Sequence, residues 1–215
     1  MNNVPKFEAT PAITDVTAAV SQSGVCVING CAEGAGISLE PLDALFAGPL
    51  AKDYPYGKVV REFGTELQSH IPHIFSLVAG HFPAEVSSFF GMSRLDAVFL
   101  THDFRNDQGV APNGYLHFDK IPTLKFMLYL TDCEASSGAF SCIPGSHVVG
   151  RRLRLESPDD NIIPESNSPL SCFHDMAEPI TGPAGTVIVF HTDILHYGGR
   201  VEDGRERIVA RSHFR

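Results

Sequence analysis

The sequence predicts an α+β domain, mainly β, in which helices come first and a sandwich of short strands follows. Three observations carry this. Apolar residues recur at helical spacing through much of the first 95 residues, and from Asp96 the pattern changes to short period-two runs separated by turn residues. At 215 residues the chain suits one domain, 1–215, with a helical part over about 1–95 and a β core over about 96–215.

The elements follow in order. Residues from about Pro11 to Gln22 read as a helix, with Ile13, Val16 and Val20 on one face and Ser23-Gly24 as the stop. Val25 to Gly30 is a β-branched run closed by Asn-Gly, hence a strand. Leu42, Leu45 and Phe46 give a second helix within Leu39 to Leu50, and a longer helical region runs from Glu66 to Phe90, broken near Pro83. Strands are expected at Leu95 to Phe104, Leu116 to Lys120 and Leu124 to Leu130. In the last of these Lys125, Met127 and Tyr129 share one face and Phe126, Leu128 and Leu130 the other, so it belongs at a sheet centre. A turn at Ser136-Ser137-Gly138 leads into Ala139 to Ile143, which Pro144-Gly145 closes. Residues 150–183 are rich in Pro, Ser, Asn and Asp without periodicity, and Gly185 to Phe190 and Arg207 to Phe214 complete the strands. No internal repeat, low-complexity tract or linker interrupts this order.

Composition narrows the function classes. The formal net charge is −9 with no long Lys/Arg run, which excludes a nucleic-acid or anionic-membrane surface as the expected partner. No basic stretch leads into an apolar run at the N-terminus, and no apolar stretch approaches the ~20 residues of a membrane span. The five cysteines form no CxxC pair and read as reduced, mostly buried thiols, so a cytoplasmic protein is expected.

The chemistry begins at His117-Phe118-Asp119. On an extended segment, residues two apart share a face, so imidazole and carboxylate point together. His196 adds a second imidazole from a distant strand end. Two imidazoles and one carboxylate hold Fe(II) on one face of an octahedron and leave the remaining positions open. Arg207, eleven residues beyond His196 on the last strand, offers the planar fork that suits an anionic co-substrate. A lone His-x-Asp is weak; its weight comes from the second histidine and the arginine.

The run from Leu128 to His147, Leu-Tyr-Leu-Thr-Asp-Cys-Glu-Ala-Ser-Ser-Gly-Ala-Phe-Ser-Cys-Ile-Pro-Gly-Ser-His, resembles the phytanoyl-CoA dioxygenase (PhyH)-like family of Fe(II)/2-oxoglutarate-dependent oxygenases. The closing run from Arg207 to Phe214 and the opening from Gly24 to Gly30 are similar to that family as well, while residues 30–95 match only in outline. The resemblance implies a double-stranded β-helix, a jelly roll with N-terminal helices packed on one sheet. It implies that His117, Asp119 and His196 bind iron, that Arg207 binds the distal carboxylate of 2-oxoglutarate, and that O2 is consumed with release of succinate and CO2. The carboxylate of Asp119 fills the position that halogenating relatives vacate, so hydroxylation, desaturation or rearrangement of a small molecule is expected, in a secondary-metabolic setting.

Lys125, Tyr129, Thr101 and Arg105 are further candidates to touch 2-oxoglutarate, and Met127 stands where relatives often carry an aromatic. The basic cluster Arg151-Arg152-Arg154 reads as a solvated face, so an acyl-CoA substrate is not supported. Residues 150–183 and 105–115 are expected to cover the substrate. Two alternatives stay open: a metal-dependent isomerase or dioxygenase of jelly-roll shape that uses no 2-oxoglutarate, and a non-catalytic ligand-binding relative.

Overall fold

The computed structural model describes residues 3–8, 11–31, 40–54, 56–62, 66–104, 114–156 and 169–215. Eleven strands are named: β1 (Lys6–Glu8), β2 (Val25–Asn29), β3 (Ala51–Tyr54), β4 (Gly57–Glu62), β5 (Leu95–Phe104), β6 (Leu124–Tyr129), β7 (Phe140–Cys142), β8 (Glu178–Pro179), β9 (Val187–His191), β10 (His196–Gly198) and β11 (Glu206–Phe214). The helices are α1 (Ile13–Ser23), α2 (Glu40–Ala47), α3 (Glu66–His70), α4 (Pro72–Ala79), α5 (His81–Phe89) and α6 (His147–Glu156), with a 3-10 helix at Pro169–Met176.

The strands form two facing sheets. The larger runs β1-β2-β9-β6-β11-β5-β4-β3 and the smaller β10-β7-β8. A bridge between His117 and His196 ties the His-x-Asp segment to the free edge of the smaller sheet. Apart from the parallel β1–β2 pair, the ladders are antiparallel. This is the jelly roll with helices on one sheet.

Burial explains the layers. β6 lies between β9 and β11 and every residue in it is buried. Its Leu124, Phe126 and Leu128 pack outward against the helices with Val16, Leu42 and Phe75, while Met127 and Tyr129 face the second sheet with Ile188, Phe140 and Val209. Both faces need apolar bulk, as the sequence pattern required. A third cluster, Leu116, Phe118 and Leu195 with Leu153 and Leu170 against them, covers the outside of the smaller sheet.

Four expectations are corrected. The first 95 residues hold more strand than the expected β2: β3 and β4 form a hairpin that extends the large sheet at one edge, and β1 pairs with β2 at the other. The helical region from Glu66 breaks at Ile71 and Gly80, not near Pro83. Ile71 precedes Pro72 and is pushed off helical geometry (φ −135°, ψ 57°). Gly80 lies so close to the preceding turn that a Cβ there would meet the Ser76 carbonyl at 2.4 Å. Pro83 falls in the first turn of α5, where no intrahelical N–H bond is owed. Leu116 to Lys120 is not a strand but a single bridge. Within 150–183, α6 and the 3-10 helix carry Leu153 and Leu170 against the outside of the smaller sheet; 157–168 lie outside the described residues, as do 105–113.

All five cysteines are free, three of them buried. Among the described residues, no helix is long and apolar enough to cross a membrane.

Candidate metal centre

The His-x-Asp segment is clamped by backbone pairing. His117 and His196 exchange N–H···O bonds of 2.9 and 2.8 Å, and the Asp119 N–H donates to the Thr192 carbonyl at 2.9 Å. The two imidazole rings stand 4.4 Å apart between centroids. Each Nδ1 meets the carbonyl two residues earlier: His117 with Tyr115 at 2.6 Å and His196 with Ile194 at 2.7 Å. A carbonyl only accepts, so each Nδ1 carries the proton and each Nε2 presents a lone pair. Both Nε2 atoms lie 3.7 Å from the same oxygen, Asp119 Oδ1.

The other oxygen, Oδ2, accepts a hydrogen bond of 2.5 Å from the Lys125 ammonium. Burial alone raises the Asp119 pKa, but Lys125 and the two histidines outweigh it and the carboxyl is held below its ordinary range. Burial, helped by His117, pushes His196 down to about 3, against the pull of Asp119. His117 is lowered too, chiefly by burial. At neutral pH the trio is therefore two neutral imidazoles and one carboxylate.

The residues present fit a metal ion. One donor atom from each of the three lies within 4.8 Å of the others. Donors about 2.1 Å from a metal on perpendicular axes sit about 3 Å apart, so the 3.7 Å separations need to close by less than 1 Å. Neutral nitrogen plus carboxylate oxygen on one triangular face suits Fe(II).

Arg207, buried at the start of β11, lies across from Asp103 of β5. Its Nε and one Nη donate to Asp103 Oδ2 at 3.0 and 2.6 Å, and the other Nη donates to the Gly138 carbonyl. Burial disfavours the charge on Arg207, yet Asp103 keeps its pKa raised overall. Arg207 and Asp103 also line a cavity of about 420 Å3 with Ser141, His174 and Tyr197; none of the three metal-site residues lines it.

The remaining candidates divide. Lys125 shares a face of β6 with Met127 and Tyr129, as the alternation required, and that face is the inner one, but its ammonium is engaged by Asp119. Tyr129 also faces inward and is committed elsewhere: its hydroxyl donates to the Ile180 carbonyl at 2.7 Å and accepts from the Phe140 N–H at 3.0 Å, a strut between the sheets. Thr101 sits on the same inner face, opposite Val209. Arg105 lies outside the described residues. Arg151 and Arg152 are exposed, but Arg154 is not a solvated residue: it forks onto the buried Asp193 at 2.9 and 3.1 Å.

The reading from sequence did not assign Asp103 as the partner of Arg207. β11 places Arg207, Val209, Arg211 and His213 at period-two spacing, and the strand alternation that singled out Arg207 applies equally to Arg211.

A two-sheet jelly roll that brings two imidazoles and one carboxylate together defines the class of facial-triad Fe(II) oxygenases. The family model for phytanoyl-CoA dioxygenase (PhyH) matches residues 97–209, more than half of the chain, and the chain belongs to that family. It is thus an Fe/2-oxoglutarate oxygenase with a candidate His-Asp-His iron site. No curated protein matches the sequence.

Among solved structures, the chain is similar to the epimerase SnoN in complex with Fe3+, α-ketoglutarate and nogalamycin RO (17% identity, 94% of this chain and 82% of that one, TM-score 0.66). It is also similar to EctD from S. alaskensis with 2-oxoglutarate and 5-hydroxyectoine (19%, 100% and 77%, TM-score 0.63). HygX from Streptomyces hygroscopicus, with nickel, 2-oxoglutarate and hygromycin B bound, gives 16%, 93% and 86%, and a TM-score of 0.57. At these identities the likeness is one of fold.

Proposed function

We propose that the chain, as a single domain over 1–215, oxidises a C–H bond of a small molecule with Fe(II), 2-oxoglutarate and O2. His117, Asp119 and His196 would hold the iron, and Arg207 the distal carboxylate of 2-oxoglutarate. The observation that carries this reading is that the unprotonated Nε2 atoms of both histidines and Asp119 Oδ1 gather within metal-binding reach of one another. Bound there, iron supplies oxidative decarboxylation of the 2-oxo acid to succinate and CO2, with oxidation of the substrate.

The chain's own residues prepare that chemistry. Lys125 holds Oδ2, so Oδ1, the oxygen nearest both imidazoles, is the one that would face a bound metal. The Nδ1–carbonyl bonds fix both ring orientations before a metal arrives. Asp103 and Gly138 use three of the five N–H groups of Arg207, holding its plane while two N–H groups stay available for a carboxylate. The origin of SnoN in nogalamycin biosynthesis supports a secondary-metabolic setting.

The test is succinate formation. Protein given Fe(II) and 2-oxoglutarate anaerobically, then exposed to O2, is expected to release succinate in excess of a metal-free control. His196→Ala and Asp119→Ala should release none above that control. Equal succinate from wild type and both variants would sink the proposal.

A further inference from the structure

One charged row of the inner face has no part in the reading above. Arg211 of β11 stands opposite Phe99 of β5 on one side and Met127 of β6 on the other, and Arg61 of β4 stands opposite Phe99 in turn. The guanidinium carbons of Arg61 and Arg211 lie 4.9 and 5.1 Å from the centre of the Phe99 ring, and the His213 ring lies 4.7 Å from it. Met127 and Val209 belong to the core between the sheets, so this face of β11 points toward the metal centre rather than toward the helices.

Arg211 is half-buried, and its Nε is sealed from solvent without a hydrogen-bond partner among the described residues; Nε2 of His213 is in the same condition. Buried polar atoms in folded proteins are almost always paired, and an unpaired one aimed into a site indicates a missing acceptor. Charge matching says what kind. On the inner face Lys125 is matched by Asp119 and Arg207 by Asp103. In the loaded enzyme the two charges of the metal are matched by the two of 2-oxoglutarate. Among the described residues Arg211 is left over, near enough to Asp119 to feel its charge and to His117 to disfavour protonation there. Resting on an aromatic ring, its guanidinium keeps the in-plane donors free to fork onto a carboxylate.

We propose that Arg211 binds a carboxylate of the primary substrate, holding an acidic small molecule against Phe99 beside the iron. This rests on the oxygenase reading above and adds to it the chemical class of the substrate. Arg207 and Arg211 then have separate tasks, one for the co-substrate and one for the molecule oxidised.

The experiment uses protein loaded with Zn(II), a diamagnetic substitute for iron, and 2-oxoglutarate, with 15N-labelled arginine. The Arg211 Nε–H signal is identified by its loss in Arg211→Lys. Sodium acetate is the probe and acetamide its neutral counterpart. Acetate is expected to shift the Arg211 signal saturably and acetamide to leave it unmoved. Arg211→Gln is expected to weaken acetate binding at least about tenfold, as loss of a charged hydrogen-bond partner does. By calorimetry it should leave 2-oxoglutarate affinity within about twofold, whereas Arg207→Gln weakens it at least about tenfold. No saturable acetate shift in the wild type overturns the proposal. So does an Arg211→Gln protein that loses 2-oxoglutarate affinity, because Arg211 would then hold the co-substrate. Failure of the oxygenase reading itself is distinguishable: wild type would show no metal-dependent 2-oxoglutarate binding at all.

Discussion

Replacing Lys125 by methionine tests how the centre is held before metal arrives. Methionine keeps most of the stem volume inside β6 and deletes the ammonium that lies 2.5 Å from Asp119 Oδ2. The side chains of the pair are only 8% and 24% exposed, so water does little to screen the bond or to replace it. Breaking one partner of such a buried pair costs about 3–5 kcal/mol, because the other charge is left uncompensated. For a domain of this size each kcal/mol moves the midpoint by about 2–4 °C, so the metal-free variant should melt about 6–20 °C below wild type. A divalent ion restores a cation to Asp119, so the deficit should shrink by half or more when both proteins are saturated with Mn(II). Thermal unfolding followed by circular dichroism, in chelator and in Mn(II), measures both numbers. A metal-free deficit below about 2 °C, or the same deficit with and without metal, would refute the reasoning.

Three further predictions follow from the same contacts. Tyr129→Phe leaves the Ile180 carbonyl and the Phe140 N–H unpaired inside the sandwich and should cost about 1–3 kcal/mol in urea unfolding; an unchanged midpoint would show the strut to be idle. Gly150→Ala would place a Cβ 1.9 Å from the Asp193 carbonyl, so α6 must shift off the sheet; a loss of about 1–3 kcal/mol is expected, and wild-type stability would contradict it. The metal-free protein should lose stability on acidification. Folded His196 stays neutral down to about 3 while an unfolded histidine protonates near 6.5, so unfolding takes up a proton across that window and stability falls as pH drops through it. His213, also pushed down by burial and by its cationic neighbours, adds to the slope, each such histidine contributing up to about 1.4 kcal/mol per pH unit. A flat denaturation midpoint across that window would sink this prediction.

Much of the architecture was legible because burial imposes period and composition together. β5 was bounded correctly at Leu95 and Phe104, and the two-sided apolar pattern of β6 gave its central place and put Lys125 on one face with Met127 and Tyr129, though not which face is the inner one. The edge hairpin was not legible: in Ala51–Tyr54 and Gly57–Glu62 polar and apolar residues mix without the burial that makes a strand stand out, since β3 is only partly covered. α6 was hidden by its polarity, for Arg151, Arg152 and Glu156 face solvent and the helix is anchored through Arg154 and Gly150 to the buried Asp193 loop.

The site divides along the same line. His117, Asp119 and His196 could be read because residue type and spacing specify a donor set. What lies against each one could not, because it depends on register between strands far apart in sequence. Asp103 meets Arg207 across 104 residues, and Phe99 meets Arg211 only once β5 and β11 are aligned. Lys125 was a candidate to touch 2-oxoglutarate should its face of β6 be the inner one; it is, yet the ammonium's partner is Asp119.

The most direct test of the central claim is metal-dependent binding of 2-oxoglutarate. Wild-type protein titrated anaerobically with Fe(II) should take up one ion per chain and bind 2-oxoglutarate only after it. His117→Ala and His196→Ala should bind neither with comparable affinity. Iron uptake by His196→Ala equal to wild type, or 2-oxoglutarate binding that ignores the metal, would contradict the account.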